Sequence, residues 1–572
     1  MNGLVLLIIG IALLLAGYVF YGKYLCEQWG VGKDDKETPA HRMEDGMDYV
    51  PAKAPVLMGH HFSSIAGAGP ITGPISAIGF GFGWLACVLW IIIGGIFFGG
   101  VHDFGALIAS LRHDGKSIGE IIAVNMSNKA KKLFITFAYL TLILVVAAFS
   151  SIVATTFGAT YVDGVLDKAA STANAQVAMV SLLFIVVAII FGFAVYRKKT
   201  PMLVSSIIGI LAIAAIIAIG INFHPLYFSQ TTWMWIVGVY ITVASVTPVW
   251  ILLQPRDYLS SFLLYAMLGL AFLAVIFAHP SLDSLPLIQS KECTTYVFPV
   301  LFTTIACGAI SGFHSLVSSG TTSKQLNKES DAKPIAYGSM LLECVLAIMT
   351  ICAIAYAYSY NAAHPDMKLT GVTAIFGGGI AHMIDDVIPG SYYVLYTLLV
   401  LTYSAFCLTS LDTATRIARF MFQEFWVDST KGETPENVTG YKKFLCNPIV
   451  ATLITVILGV VLGLNGYAKI WTLFGSANQL LAAIGLLAVA VWLSNAGKNN
   501  KMVLIPMVFM LLVTIASLVL NTKDQITAII AGGADWGPWV QSIFGILLIV
   551  LSLVLAVEGV NTIIKPKKNK AA

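Results

Sequence analysis

Long apolar runs, separated by short polar segments, dominate this chain. About 20 consecutive apolar residues cross a bilayer as one helix, and fifteen runs come close to that length. The pattern therefore predicts an all-α polytopic membrane protein. The predicted spans are residues 3–22, 59–78, 83–111, 131–157, 176–195, 202–222, 233–253, 259–277, 299–320, 334–360, 393–413, 448–466, 474–495, 502–521 and 539–559.

The lysine and arginine positions predict the orientation of these spans. Cytoplasmic loops of membrane proteins collect Lys and Arg. If residues 23–58 lie inside and the sides alternate, most of the 33 basic residues fall inside. The N-terminus is then outside and the C-terminus inside. The basic residues left outside are Lys168, Lys291, Lys368, Lys469 and Lys523.

The composition supports a membrane protein and limits the classes of partner that it could bind. Hydrophobic residues make up 58% of the chain and charged residues 11%, against about a quarter charged in soluble proteins. The chain's partner is therefore the lipid bilayer. A formal net charge of +4 gives no reason to propose nucleic acid. The polar segments between the spans are too short to form a soluble domain. The sequence gives no evidence of an obligate protein partner. The spacing of the cysteines does not indicate a metal site.

Two predicted spans have interrupted helical patterns. In 59–78, Pro70 and Pro74 each remove a backbone donor, among several glycines. In 233–253, Pro248 lies toward the inner end. Backbone freed at membrane depth is tolerated only where protein or a water-filled cavity satisfies it. Paired discontinuous helices therefore point to the binding site of a carrier.

The spacing between these two spans predicts an internal repeat. When the same offset is applied to the spans that follow, the five spans beginning with 59–78 are matched by five spans beginning with 233–253. An odd number of spans in each copy places the second copy in the inverted orientation across the membrane. The predicted divisions are an N-terminal helix and cytoplasmic loop (1–58), two inverted five-helix repeats (59–232 and 233–416), and a loop with about four peripheral helices and a basic tail (417–572). A less regular alternative pairs 59–78 with 299–320.

Five motifs resemble one family. They are GHHFSSIAGAGPITGP at 59–74, LQPRDYL at 253–259, SGFHSLVSSGTTSKQL at 311–326, LDTATR at 411–416 and WTLFGSANQLLA at 471–482. Together they resemble the carbon starvation protein A family across nearly the whole chain. The resemblance implies a LeuT-type fold in a prokaryotic cytoplasmic membrane. It also implies secondary uptake of pyruvate or short peptides, usually with protons.

Other functions fit the sequence less well than this carrier. A sodium-coupled carrier of the same fold for another small organic solute is the main alternative. A channel would show repeated pore elements or rings of like residues, and a sensor would need a soluble signalling domain. No nucleophile elbow, phosphate loop or metal-ligand spacing suggests an enzyme.

The predicted substrate site lies between the two interruptions. A half-helix beginning near Pro70 presents a positive dipole end, which favours a substrate carboxylate. Close packing through small residues is the alternative interpretation of this glycine-rich stretch. The predicted substrate-binding residues are Ala66, Gly67, Ala68, Gly69, Pro70, Thr72 and Gly73 in the first span, and Ser245, Thr247 and Trp250 in the second.

The coupling ion is predicted to be a proton or sodium, with no other cofactor. His61, His314 and Glu343 are titratable groups at depth, which suits a proton. The resemblance to LeuT-type carriers suggests that Ser315, Ser318 and Ser319, with carbonyls from Ser64 to Gly67, could instead bind sodium. Hydroxyl bonds back to helix carbonyls would explain the same serines without an ion.

Several remaining polar residues carry narrower expectations. Arg256 and Asp257 could pair as an inner gate, or simply set topology. Asp412 is expected to pair with Arg416 at i+4. Asp103 could pair with either Arg112 or His102. The family resemblance also singles out Asn478 and Gln479, without a physical reason.

Overall fold

The computed structural model describes the chain apart from residues 33–35, 47, 199, 249, 294, 428–432, 436, 465–466, 533–535 and 566–572. Most of the predicted basic tail therefore lies outside the described residues. Eleven described helices are long and apolar enough to cross a membrane. They are Gly3–Trp29, Trp84–Leu111, Asn128–Phe157, Lys168–Val195, Leu203–Asn222, Leu253–Ala278, Glu329–Ala363, Tyr392–Trp426, Ile470–Asn495, Lys501–Ile530 and Trp536–Ile564.

The other four predicted spans are shorter or interrupted. Pro448–Gly463 is a shorter apolar helix, and Gln230–Val246 is an unbroken helix of 17 residues. The spans predicted at 59–78 and 299–320 are each divided in two. Every predicted span thus overlaps helical structure, while the total of fifteen and the orientation stay predictions. Short described helices connect the spans at Pro39–Arg42, Ile118–Asn125, Gly379–Asp385 and Tyr441–Leu445.

The first interruption lies where the sequence predicts it. One helix covers Ala54–Ala66 and the next Gly69–Gly79. Gly67 ends the first with φ +31°, a conformation that side chains with a Cβ rarely adopt. Pro70 occupies the first turn of the second half, where its missing N–H costs nothing. We call residues 54–79 the first interrupted helix.

The second interruption was predicted at 243–250, and that prediction was wrong. The helix Gln230–Val246 is continuous, and Leu253–Ala278 begins a separate helix after it. Thr247 has extended backbone angles of −77° and 141°, as expected for a residue that precedes a proline. Pro248 therefore terminates a helix rather than dividing one.

The observed second interruption falls within the span predicted at 299–320. Short helical segments cover Val297–Leu301 and Phe302–Thr304, and the helix resumes at Gly312–Gly320. Residues 305–311 between them form turns and irregular backbone. We call residues 297–320 the second interrupted helix. The alternative pairing of 59–78 with 299–320 thus matches the positions of the two interruptions.

The remaining helices enclose these two. Tyr392–Trp426 packs along Asn128–Phe157, and Tyr467–Asn495 packs against the second interrupted helix. The most apolar part of Ile470–Asn495 is wholly buried, whereas that of Trp536–Ile564 is 28% buried. The core therefore lies around the interruptions, and the last helix presents most of its surface to lipid. A two-stranded hairpin, Tyr161–Val162 with Val165–Leu166, joins two of the spans.

Candidate functional site

The two interruptions lie directly against each other. A Cβ placed on Gly69 would be 2.2 Å from the Cβ of Cys307, and one on Gly73 would be 3.1 Å from the carbonyl oxygen of Thr304. A side chain at Gly69 would overlap Cys307, and one at Gly73 would crowd the Thr304 backbone. Unwound segments from two different helices therefore share one buried region.

The predicted substrate residues of the first interrupted helix surround this region. Ala66, Gly67, Ala68, Gly69, Pro70, Thr72 and Gly73 are all buried. The Thr72 hydroxyl lies 3.1 Å from the Tyr403 hydroxyl. The half-helix Gly69–Gly79 has no side-chain cap at its N-terminus, so its positive end is not neutralised by the protein's own side chains.

The three substrate residues predicted in the second span have contacts elsewhere. The Ser245 hydroxyl lies 3.2 Å from that of Thr452. Thr247 donates to the carbonyl of Val243 at 2.8 Å, and the Trp250 ring packs edge-on against Phe193. The structure does not bring these three residues together with the first interruption, because they lie around the end of the helix Gln230–Val246 and not at a second break.

A network of imidazoles and carboxylates lies beside the interruptions. Asp103 accepts from His314 Nδ1 at 2.8 Å and from His102 Nδ1 at 3.0 Å. His314 Nε2 lies 3.5 Å from Glu343. All four side chains are fully buried. The open question about Asp103 is therefore answered by the two histidines, while Arg112 pairs with Glu329 at 2.7 Å.

His61 lies on the half-helix Ala54–Ala66, close to this network. Its Nδ1 is 2.8 Å from the Thr322 hydroxyl, and its Nε2 makes no hydrogen bond with the described residues. The ring is fully buried. A buried imidazole with one unpaired nitrogen can accept or release a proton only where water or substrate can reach it.

Arg256 and Asp257 form the predicted ion pair within a larger network. Arg256 bonds to Asp257 at 2.7 Å and also contacts the carboxylate of Asp412. Tyr240 lies 2.7 Å from both Arg256 and Asp412. His60 bonds to the second oxygen of Asp257 at 2.8 Å. The network joins the first interrupted helix to three other helices.

The expected pairing of Asp412 with Arg416 was wrong. Arg416 instead donates to the carbonyl oxygens of Ala244, at 2.9 Å, and Thr247. These carbonyls belong to the end of the helix Gln230–Val246, whose last carbonyls lack helical partners. Asp412 is one turn deeper and so meets Arg256.

The predicted sodium serines mostly bond to their own helix. Ser315 donates to the Gly312 carbonyl at 2.8 Å, and Ser319 donates to the Ser315 carbonyl at 2.7 Å. The Ser318 hydroxyl is buried and makes no hydrogen bond with the described residues. Opposite, Ser410 donates to the carbonyl of Ser64 at 3.0 Å.

Asn478 and Gln479 hold both ends of the second interruption. The Asn478 amide accepts from the backbone N–H of Phe313 at 2.9 Å and donates to the Ser311 hydroxyl at 2.9 Å. Gln479 donates to the carbonyl of Phe302 at 2.6 Å. Two consecutive side chains thus satisfy backbone groups that the missing helical turn would otherwise leave unpaired.

Sequence reasoning missed several residues of the site. Cys307 and Thr322 carry no recognisable spacing, and Tyr240 lies in an ordinary apolar helix. The adjacent pair His60 and His61 is visible in the sequence as two groups that change charge near physiological pH, but the bond from His60 to Asp257 is not. Partners drawn from distant spans are not visible in a single sequence.

These helices and their interruptions define the class: a multi-pass all-α membrane protein with a LeuT-like fold. The structure resembles the crystal structure of MhsT in complex with L-phenylalanine, with a TM-score of 0.50 and 12% identity, covering 89% of this chain and 99% of that one. A likeness at that identity concerns the fold. The chain belongs to the carbon starvation protein CstA family, whose sequence model matches residues 2–374 and 357–517.

Curated relatives are transporters. The chain is 32% identical to a peptide transporter CstA of Helicobacter pylori, covering 92% of this chain and 82% of that protein. It is 31% identical to a peptide transporter CstA of Bacillus subtilis, covering 88% and 87%. It is 30% identical to the pyruvate/proton symporter BtsT of Escherichia coli, covering 90% and 81%. With its apolar helices, this family places the chain in the prokaryotic inner membrane.

Proposed function

We propose that this protein imports a small carboxylate-bearing nutrient, pyruvate or a short peptide, together with protons. The observation that carries the proposal is the buried contact between the two interrupted helices, where Gly69 meets Cys307. Relatives named for peptide transport and for pyruvate/proton symport suggest the two substrate classes. Neither name separates them for this chain.

The substrate carboxylate would bind at the uncapped N-terminus of Gly69–Gly79. Pro70 has no N–H, and Ile71 and Thr72 donate theirs to the carbonyl of Ala68, so the positive end of the helix dipole is the feature that favours an anion there. Gly67 and Gly69 leave room for the approach of backbone to substrate, and Thr72 with Tyr403 supplies neighbouring hydroxyls. Because residues 66–73 are buried, the substrate would enter only after the surrounding helices move apart.

The coupling proton would be carried by His61 and by His60 with Asp257. His61 has an unpaired ring nitrogen at the first interruption. His60 shares the carboxylate of Asp257 with Arg256, so a change of its charge alters a pair that ties the first interrupted helix to its neighbours. Protonation would thereby be linked to opening of the predicted Arg256 and Asp257 gate.

The two interrupted helices would be symmetry mates in an inverted repeat. Leu253–Ala278 packs against the first, and Tyr467–Asn495 packs against the second. Asn128–Phe157 packs on Tyr392–Trp426, and Gln230–Val246 on Pro448–Gly463. Each copy then has five helices, and the pair Lys168–Val195 and Leu203–Asn222 is an insertion in the first copy. This division replaces the one that paired 59–78 with 233–253.

A cavity of about 190 Å³ suggests the inner route. Its lining includes Lys324, Glu424, Ser117 and Ser319. Ser319 belongs to the second interrupted helix, so the cavity extends from a charged mouth toward the site. The predicted orientation makes this mouth cytoplasmic, and the peripheral helices would play no direct part in the route.

Sodium is the second candidate for the coupled ion. The hydroxyl of Ser318 is buried and makes no hydrogen bond with the described residues, and the carbonyl of Ser64 is directed toward Ser410. Oxygen ligands of this kind suit a hard cation. The bonds of Ser315 and Ser319 to their own helix weigh against three serines acting together.

Uptake into proteoliposomes tests the proposal. Labelled pyruvate and a labelled dipeptide would be offered under an imposed pH gradient or an imposed sodium gradient, at a fixed membrane potential. Accumulation driven by the pH gradient and unaffected by sodium is the expected result. Accumulation that follows sodium alone and is lost in Ser318→Ala would replace the proton with sodium. Uptake of neither substrate would refute the substrate class.

A further inference from the structure

Three potential metal ligands converge at the second interruption. The thiol of Cys307, the imidazole of His314 and the carboxylate of Glu343 offer ligand atoms that all lie within 4.8 Å of one another. All three residues are buried, with Cys307 6% exposed and the other two fully buried. Cys307 lies in the unwound segment 305–311, His314 lies on the helix that follows it, and Glu343 comes from the helix Glu329–Ala363.

The facing atoms all present lone pairs. His314 Nδ1 bonds to the Asp103 carboxylate, which can only accept, so Nδ1 carries the hydrogen. Nε2 is then a bare acceptor in the neutral ring. This nitrogen and both oxygens of Glu343 make no hydrogen bond with the described residues. A buried carboxylate without a partner is costly, so the cluster favours either protonation of Glu343 or a bound cation.

The spacing suits a metal ion better than a shared proton. His314 Nε2 and Glu343 are 3.5 Å apart, longer than the roughly 2.7–3.2 Å of a hydrogen bond. Two ligands of a tetrahedral zinc ion, each bonded at about 2.0–2.3 Å, are separated by about 3.3–3.7 Å. The Cys307 sulfur lies within 4.8 Å of both groups, so one ion could bind all three side chains after small movements, whereas a proton could bridge only two.

The side chains that surround the cluster form hydrogen bonds of the kind that orient metal ligands. The bond from His314 to Asp103 is the carboxylate–histidine arrangement that fixes the ring and raises its basicity. Asn478 donates to the sulfur of Cys307 at 3.7 Å, which would stabilise a thiolate. Sulfur and imidazole ligands select a transition ion over magnesium or calcium.

We propose that Cys307, His314 and Glu343 bind one divalent transition-metal ion of the zinc class. The ion would tie the unwound segment, through Cys307, and the helix after it, through His314, to the helix Glu329–Ala363. Three protein ligands leave a fourth coordination position. Because Gly69 lies against Cys307, the site adjoins the first interruption, and it leaves His60 and His61 available for protons.

Cobalt and zinc binding to the purified, detergent-solubilised full chain test this assignment. After removal of bound metal with a chelator, Co²⁺ should give a thiolate-to-cobalt absorption band with saturation at one ion per chain. Zn²⁺ should displace it. Cys307→Ser and Glu343→Gln should weaken binding at least tenfold. Asp103→Asn, which replaces the carboxylate that bonds to His314 and His102 and is not itself a ligand, should weaken it by about 10–100-fold.

Cys352→Ser is the matched control, since Cys352 is equally buried on the helix Glu329–Ala363 but contacts the carbonyl of Gly3. It should bind Co²⁺ as the unmodified chain does. Absence of the thiolate band from the unmodified chain would overturn the proposal, whatever the variants do. Retention of one Zn²⁺ by both Cys307→Ser and Glu343→Gln would also overturn it.

Discussion

At the scale of single residues, glycine at position 69 allows the two interruptions to touch. Any side chain there would collide with Cys307, since its Cβ would lie 2.4 Å from the sulfur. Gly79 ends the same half-helix, and a Cβ placed on it would enter open space, with no atom of a neighbouring element within 4 Å. The two glycines therefore provide a matched pair of substitutions.

Gly69→Ala should abolish or strongly reduce transport while leaving membrane insertion intact, because the second interrupted helix would be displaced from the site. Gly79→Ala should transport normally. Uptake in vesicles, with protein amount measured by immunoblot, checks both variants. Equal activity of the two would remove the contact between the interruptions from the transport site.

A second feature at the scale of single residues is the set of buried charges at the predicted gate. Arg256 is 2% exposed and lies between Asp257 and Asp412, which are fully buried. Removing one partner of a buried ion pair leaves a charge uncompensated and costs about 3–5 kcal/mol. An exposed pair contributes about 0–1 kcal/mol.

Asp412→Asn should therefore lower the unfolding temperature of the purified protein clearly. Asp114→Asn, which removes the partner of the half-exposed Arg42, should leave it nearly unchanged. Thermal unfolding in one detergent compares the two. A similar unfolding temperature for both variants would show that the network around Arg256 contributes little to stability.

At the scale of elements, the second interruption depends on side chains from another helix. Asn478 satisfies the N–H of Phe313, and Gln479 satisfies the carbonyl of Phe302. Leaving a buried backbone group unpaired costs about 1–3 kcal/mol. The structure therefore assigns both residues a role that the sequence alone did not indicate, which is to stabilise the second interruption.

Asn478→Ala should make the amides around residues 302–313 exchange about tenfold or more faster, since about 1.4 kcal/mol of lost stabilisation corresponds to a factor of ten. Hydrogen exchange with mass spectrometry measures this. Asn222→Ala is the control, because Asn222 is exposed and bonds within its own helix. Unchanged exchange in Asn478→Ala would contradict the bridging role.

The sequence predicted the helices well and the second interruption poorly. A long apolar run indicates a segment buried in lipid or protein, and such segments form helices. Every predicted span therefore overlaps a helix. The first interruption was predictable because Gly67, Pro70 and the other glycines fall together in one short stretch. Pro248 was misleading because proline ends helices as readily as it divides them, and the true second interruption contains no proline between residues 305 and 311.

At the scale of the whole molecule, the site combines groups that lie far apart in the chain. His314 and Glu343 were identified as titratable groups at depth, but the sequence does not show that Asp103, from another span, bonds to His314 or that Cys307 lies beside both. Ser245, Thr247 and Trp250 were included in the predicted site only because an interruption was predicted at 243–250, where the structure shows the end of a continuous helix. The sequence therefore predicted which segments are helical and apolar, but not which spans contact one another.

Energetics at this scale favour a coupled cation. A carboxylate imported against an inside-negative potential of 100 mV costs about 2.3 kcal/mol per charge. One accompanying proton removes that electrical cost, and the proton gradient then drives accumulation. A buried imidazole such as His61 could carry that proton between the two sides as the helices rearrange.

The most direct test follows protons during transport. Proteoliposomes with a trapped pH-sensitive dye and no imposed gradient would receive pyruvate or a dipeptide at clamped potential. We expect the lumen to acidify only when transported substrate is added, equally with and without sodium, and to lose this response in His61→Asn. Entry of substrate without acidification, or acidification that requires sodium, would contradict proton-coupled import.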